Sequence, residues 1–173
     1  MSDPTLWHDT ATRRNTRRTP GAVPLRSVEA SDEWETPAWL FSELNVEFRF
    51  TLDAAATEST AKCAKYLTPQ DDALSMSWGQ GETVWLNPPY GRGIAAWVSK
   101  ARDEARAGST VVLLIPARLD TNWWHDVVLP SEVRIRRGRV RFLMNGRELP
   151  TAGPFPVAVV VMRPTDPDSQ GAT

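Results

Sequence analysis

The sequence is poor in the residues that build disulfides and metal sites. It has one cysteine, Cys63, and two histidines, His8 and His125. One cysteine cannot form an internal disulfide, and these side chains are too few for a zinc site made of Cys and His. The sequence therefore predicts no resident metal and is typical of a reducing compartment, which we expect to be the cytoplasm.

Long apolar stretches and an excess of charge are also missing. No run reaches the roughly 18 apolar residues of a membrane-spanning helix, and the N-terminus lacks the apolar segment of a signal peptide. We therefore expect no membrane partner. Twenty Lys and Arg residues stand against 21 Asp and Glu, a net charge of −1, so a nucleic-acid partner would have to be met by a local basic patch.

What is present is the composition of one folded domain with polar ends. Hydrophobic residues make up 41% and charged residues 24% of the chain, close to the usual balance of globular proteins. Residues 1–31 are rich in arginine and lack helical or strand periodicity, which predicts a flexible basic arm. Residues 164–173 are rich in Pro, Asp, Ser and Gly and predict a flexible tail. The folded domain is therefore expected over residues 32–163.

Strand and helix patterns alternate along this domain and then give way to strands alone. Expected strands are 48–53, 83–86, 110–115 and 155–162, and shorter alternating segments at 133–135 and 140–142 suggest strands or a hairpin. Expected helices begin near residue 37, at residue 94 and at residue 122, the second ending before a capping Gly108. This order predicts an α/β fold with a mostly parallel sheet and an antiparallel end.

Thr36 and Pro37 predict the start of the first helix. Threonine is a good N-cap, and proline suits the first helical position. The spacing that follows predicts that Trp39, Leu40 and Leu44 face the core.

Three segments follow predicted strands and carry polar side chains: residues 53–56, 87–90 and 118–120. Ligands of open α/β sheets bind beyond the carboxyl ends of the strands. We therefore expect these three segments to border one ligand-binding cleft.

The segment Asn87-Pro88-Pro89-Tyr90 carries the strongest chemical signal. Two prolines hold the backbone in an extended bend, so that the Asn87 side-chain oxygen and the Pro88 carbonyl can accept both hydrogens of one amine. The amine nitrogen would then be free to attack an electrophilic methyl group, and Tyr90 would stack on a flipped base. The alternative is a plain turn that closes the strand.

These residues resemble the D/N-P-P-Y/F motif of amino-group methyltransferases, and the chain resembles the phage-type DNA N6-adenine methyltransferases within them. The resemblance runs from Trp34 to about Met162. The matching segments are 34–37, 50–56, 61–63, 72–74 with Trp78, 84–90, 116–118 with Asp120, and 138–139. The resemblance implies the Rossmann-like methyltransferase fold, S-adenosylmethionine as cofactor and DNA as partner.

The same resemblance implies cofactor contacts, including one from Asn87. Thr36 and Pro37 match the segment that borders the methionine end of the cofactor. Asp53, with Ala54 and Ala55, matches the strand-end cofactor motif, although many methyltransferases have glycines here, and an Asp-capped helix start is the alternative. Asp72 matches the acid that contacts the cofactor's adenine; Asp71 could take this role, or Asp72 could be a solvated loop acid.

Arginines suggest where DNA binds. Arg118 follows a buried strand and could contact phosphate or pair internally with Asp120. Arg136, Arg137 and Arg139 lie in an arginine-rich stretch that favours phosphate contacts over a solvated strand face.

Two other functions remain compatible with the sequence. The same motif resembles enzymes that methylate a protein glutamine amide, and the alanine-rich turn would also suit a DNA-binding module that has lost catalysis. Cys63 lies outside a Pro-Cys pair, which excludes the arrangement of cytosine C5 methyltransferases.

Overall fold

The computed structural model of the protein describes residues 34–164. The predicted basic arm, and the predicted tail beyond Pro164, lie outside these residues. The strands are β1 Leu52–Asp53, β2 Lys65–Tyr66, β3 Thr83–Leu86, β4 Thr110–Pro116, β5 Glu132–Ile135, β6 Leu143–Met144, β7 Arg147–Glu148 and β8 Val157–Met162. The helices are α1 Ala38–Phe48 and α2 Ile94–Arg106, with short 3-10 and π-helical segments at Pro69–Asp71 and Trp124–Val128.

Six strands form one sheet in the order β2-β1-β3-β4-β8-β5. The first four are parallel, and β8 runs antiparallel to both of its neighbours. Strand β5 therefore runs in the same direction as the first four. This confirms the predicted α/β fold with a mostly parallel sheet and an antiparallel end. Every residue of β8, and every residue of β4 after Thr110, is buried, as expected of strands covered on both faces.

The pairing of β3 with β4 determines which carbonyls of β4 point toward β3. The N–H of Thr110 donates to the carbonyl of Glu82, and the last paired residues are Leu86 and Leu113. In a parallel ladder, alternate residues direct both N–H and C=O to the same neighbour. Counting from Thr110, the carbonyl of Leu114 therefore faces the continuation of β3.

Helix α1 begins later than the sequence suggested. Pro37 occupies the N-cap position, and its carbonyl accepts the first helical amide bonds, whereas the Thr36 hydroxyl caps nothing. The reason is that Glu35 pairs in β fashion with Leu143, which holds the chain extended up to the proline. Trp39 was predicted to face inward but is 49% exposed, while Leu40 is fully buried.

The predicted strand 48–53 is wrong in its first half. Phe48 ends α1, and Arg49 follows in the left-handed conformation with φ 56°, so extended pairing starts only at Leu52. Phe50 instead stacks on Phe48 and packs against Trp85. The alternation that had suggested a strand thus reflects packing among aromatic rings and not strand pairing.

The region after β4 departs most from expectation. The predicted helix at 122–129 is largely one π-helical turn. Val140 and Phe142 are buried but form no strand; the hairpin lies further on, where β6 pairs with β7 across the turn Asn145-Gly146. Both turn residues have positive φ, as the tight hairpin turns favoured by Asn-Gly require.

One edge of the sheet gathers the loops that matter for function. It holds the carboxyl ends of β1, β3 and β4, and because β8 is antiparallel, the connection 136–156 from β5 to β8 lies there as well. No helix within residues 34–164 has the length and apolar character needed to span a membrane.

Candidate active site

A cavity of about 940 Å³ opens at this edge. It is bordered by the segments that follow β1 and β3, by the segment before α1 and by the turn of the β6–β7 hairpin. The predicted site residues that line it are Thr36, Asp53, Ala54, Ala55, Asp72, Asn87 and Pro89. Two of the three strand-end segments therefore border one cleft as expected, whereas residues 118–120 do not line the cavity.

Asp53 is held at the cavity wall by the backbone. It is 3% exposed, and its carboxylate accepts the N–H of Lys62 at 3.0 Å and the N–H of Ala55 at 3.3 Å. Burial raises the pKa of Asp53, and these two hydrogen bonds oppose the rise. The carboxylate thus shapes the turn and places a negative charge beside the cavity.

Asp71 and Asp72 have different surroundings. The Asp71 carboxylate accepts the N–H and the hydroxyl of Thr68, both at 2.7 Å, and these bonds lower its pKa. Asp72 has left-handed backbone torsions and lines the cavity, whereas Asp71 does not. Of the two candidates, only Asp72 is placed to meet a ligand.

The Asn87 amide is fixed at both ends. Its Nδ2 donates to the carbonyl of Trp34 at 2.7 Å, and its Oδ1 accepts the Tyr90 hydroxyl at 2.8 Å. Turning the amide over would place Nδ2 against a hydroxyl and Oδ1 against a carbonyl, so its orientation is determined. One lone pair of Oδ1 is left for a ligand.

The Tyr90 ring lies where the sequence did not predict it. It is 5% exposed and packs edge-on against Trp34, Phe142 and Phe155. Its hydroxyl also lies 3.0 Å from the carbonyl of Leu114. The ring is therefore part of the core and, in this conformation, offers no free face to a stacked base.

Two buried polar groups next to the cavity have no partner among the described residues. The Thr36 hydroxyl and the Trp34 indole N–H make no hydrogen bond, although both residues line the cavity and Thr36 is 2% exposed. Buried polar groups are nearly always satisfied. A polar ligand in the cavity is one way to satisfy the threonine.

The cavity wall also contains residues that were not predicted as site residues. Glu35 and Lys62 add one charge of each sign, and Trp97 of α2 contributes an aromatic face. Together with Asp53 and Asp72, the lining has three carboxylates against one ammonium group, which favours a cationic ligand. Glu35 and Lys62 had a signal in the sequence, because both lie in segments that match the phage-type family, whereas Trp97 had only the helical spacing of α2.

The arginine stretch divides into two groups. Arg134 and Arg136 make two-pronged ion pairs with Glu47 and Glu43 of α1, and the Arg136 guanidinium lies 4.6 Å from the centre of the Trp39 ring. Arg136 therefore links α1 to the edge of the sheet, as Arg134 does. This contact explains the exposure of Trp39.

The other arginines are exposed near the carboxyl edge. Arg137, Arg139, Arg141 and Arg147 take part in none of the ion pairs between residues 34 and 164. Arg118 lies over the Phe155 ring at 5.9 Å and is not paired with Asp120, although the structure describes both. The predicted internal alternative is thus not found.

Cys63 is unsuited to nucleophilic chemistry. Burial, together with the Asp53 carboxylate, raises the pKa of its thiol to about 12. The thiolate, which is the reactive form, is therefore scarce at neutral pH. Among residues 34–164, no group of three or more His, Cys, Asp or Glu side chains is placed to hold a metal ion.

Comparison with known proteins gives a consistent result. The family described as DNA N-6-adenine-methyltransferase (Dam) matches residues 25–170. The DNA N-6-adenine-methyltransferase of Escherichia phage T1 is 31% identical over 127 residues, covering 73% of this chain and 50% of that protein. The protein of the same description from Haemophilus phage HP1 is 30% identical over 118 residues, covering 66% and 68%. The chain thus spans half the length of the first relative.

Proposed function

The chain belongs to the DNA N-6-adenine-methyltransferase (Dam) family, and on this premise we propose that it transfers a methyl group from S-adenosylmethionine to the exocyclic N6 amine of adenine in DNA. The observation that carries the proposal is the oriented Asn87 amide at the wall of a large cavity. When bound, the cofactor supplies a methyl group that is carried on a positively charged sulfur. The sulfur becomes a neutral thioether, which is the leaving group.

The cavity suits this cofactor in size and charge. Its volume of about 940 Å³ lies within the range of about 300–1,000 Å³ usual for ligand pockets. The surplus of carboxylates suits a molecule that carries a sulfonium and an ammonium group. Asp53 and Asp72 would hold the polar ends, the small side chains of Ala54 and Ala55 let the backbone approach, and the Thr36 hydroxyl gains a partner.

The segment after β3 would bind the amine that receives the methyl group. The Oδ1 of Asn87 and the carbonyl of Pro88 would each accept one hydrogen of the N6 amine, which would direct the nitrogen lone pair toward the methyl group. The methylated nitrogen would then release one proton to water. No side chain has to become a nucleophile, in keeping with the protonated thiol of Cys63. Positioning and oriented dipoles would supply the rate enhancement.

DNA would meet the arginines at the same edge of the sheet. Arg118, Arg137 and Arg139 are exposed and free of carboxylate partners within the described residues, so each can neutralise a phosphate. Arg136 would have to give up its bond to Glu43 to do so. We therefore propose the first three as the principal phosphate contacts and Arg136 as a weaker one.

Arg118→Ala should weaken DNA binding mainly by removing a phosphate contact. The slope of log affinity against log salt should fall by about one, without a change in sequence preference. Arg106→Ala is the matched control, because Arg106 is exposed at the end of α2, on the opposite edge of the sheet. Fluorescence anisotropy over a salt series measures both, and equal slopes for the two variants would argue against Arg118.

The proposed reaction is tested by offering the protein methyl-labelled S-adenosylmethionine with an unmethylated DNA duplex. We expect label in DNA, and N6-methyldeoxyadenosine after nuclease digestion. The same duplex carrying N6-methyladenine at every adenine is the control and should take up no label. Label on a glutamine-bearing protein instead of DNA, or DNA binding without cofactor binding, would replace the proposal by one of the two alternatives.

A further inference from the structure

The Tyr90 hydroxyl lies where a backbone amide of the sheet is missing. The pairing of β3 with β4 ends at Leu86 and Leu113. In the same register, the next donor to the Leu114 carbonyl would be the N–H of residue 88. Pro88 has no N–H, and the Tyr90 hydroxyl lies 3.0 Å from that carbonyl. The tyrosine thus places a hydroxyl within hydrogen-bond distance of the carbonyl that has lost its backbone donor.

This hydroxyl has one proton and faces two acceptors. Besides the Leu114 carbonyl, it contacts Oδ1 of Asn87 at 2.8 Å. The ring cannot move far, because Trp34, Phe142 and Phe155 surround it. Rotation of the hydroxyl about its C–O bond is therefore enough to direct the proton to one acceptor or the other.

We infer that Tyr90 is a positioning residue for Asn87 and that it acts through its hydroxyl. Before substrate arrives, the hydroxyl donates to Oδ1 and, with the Trp34 carbonyl at Nδ2, fixes the amide plane. When an N6 amine donates to Oδ1, the hydroxyl proton turns to the Leu114 carbonyl and Oδ1 is released to the amine. No covalent bond is made or broken in this step. The inference rests on the proposed function.

Tyr90→Phe tests the hydroxyl while keeping the ring. Loss of one hydrogen bond of ordinary strength predicts a fall in kcat of about 3- to 10-fold. The KM values for DNA and cofactor should stay within about twofold, because the lost contact orders the acceptor rather than binding either substrate. A role for the ring alone predicts an unchanged kcat.

Ser109→Ala is the matched control for lost stability. Its buried hydroxyl also donates to a backbone carbonyl, that of Gly79, but at the amino end of β4, away from the cavity. Both variants should unfold at a lower denaturant concentration than the unsubstituted protein. Only Tyr90→Phe should lower kcat; equal kcat values for the two variants would overturn the inference.

A second measurement separates this inference from the proposed function. The side-chain NH₂ signals of Asn87 in a nitrogen–proton NMR spectrum are assigned by their loss in Asn87→Ala. They should shift in Tyr90→Phe and stay in place in Ser109→Ala. Unmoved signals would overturn the inference even if the protein methylates DNA, whereas an inactive unsubstituted protein with shifted signals would count against the proposed reaction alone.

Discussion

Asn87→Ala is expected to lower the rate of methyl transfer by about 10²- to 10³-fold, the loss seen when one oriented dipole is removed from a catalytic site. The substitution removes the oxygen that we propose to accept an N6 hydrogen. The cofactor should still bind, since the cavity is otherwise intact. Single-turnover rates at saturating DNA and cofactor measure the effect on chemistry, apart from binding.

Asn45→Ala is the control for this substitution. The Asn45 side chain is half-buried, and its Oδ1 accepts the N–H of Phe50 at 2.8 Å at the end of α1, away from the cavity. Both variants lose a structural amide and should lose comparable stability. If Asn87→Ala transferred methyl groups as fast as Asn45→Ala, the assignment of the acceptor would have to be abandoned.

Asp53→Asn is expected to weaken cofactor binding by about 10- to 100-fold, since hydrogen bonds to charged groups contribute more than neutral ones. The amide keeps the shape of the carboxylate but loses its charge, and its NH₂ group replaces one of the two oxygens that accept a backbone N–H. Isothermal titration with S-adenosylmethionine measures the effect. Asp71→Asn is the matched control: its carboxylate also accepts a backbone N–H, but it lies outside the cavity lining.

The affinity for the cofactor should also depend on pH, in a direction that follows from the pKa of Asp53. Burial raises the pKa of Asp53 above its ordinary value of 3.8, so the carboxylate loses its charge at a higher pH than an exposed aspartate would. Affinity for the cofactor should therefore fall as the pH is lowered toward this raised pKa. Asp53→Asn should lack that component of the fall; an identical pH profile for the two proteins would exclude a charged role for Asp53.

The arginines illustrate how far a charge pattern can be interpreted. The sequence shows six arginines between residues 134 and 147 and suggested phosphate contacts for Arg136, Arg137 and Arg139. It could not show that Glu43 and Glu47, far away along the chain, would meet Arg136 and Arg134. Pairing partners across a fold depend on the packing of α1 against the sheet, which no local pattern encodes.

The local sequence was enough to predict the elements with strong periodicity or strong backbone constraints. The apolar run of β4, the helical spacing of α2 and the prolines after β3 each restrict the backbone locally, so these elements lie where they were expected. The strand-end location of Asp53 and Asn87 follows from the same constraints.

The tertiary fold alone determined how the side chains of the site are used. Tyr90 was expected to stack on a base, but aromatic residues from distant segments surround it, and its hydroxyl lies close to the carbonyl that the amide missing from Pro88 would have bonded. The short strand β2, the exposed Trp39 and the position of Asp72, rather than Asp71, at the cavity wall have the same origin. Periodicity reports which face of an element is apolar, whereas hydrogen-bond partners and cavity walls depend on residues that only folding brings together.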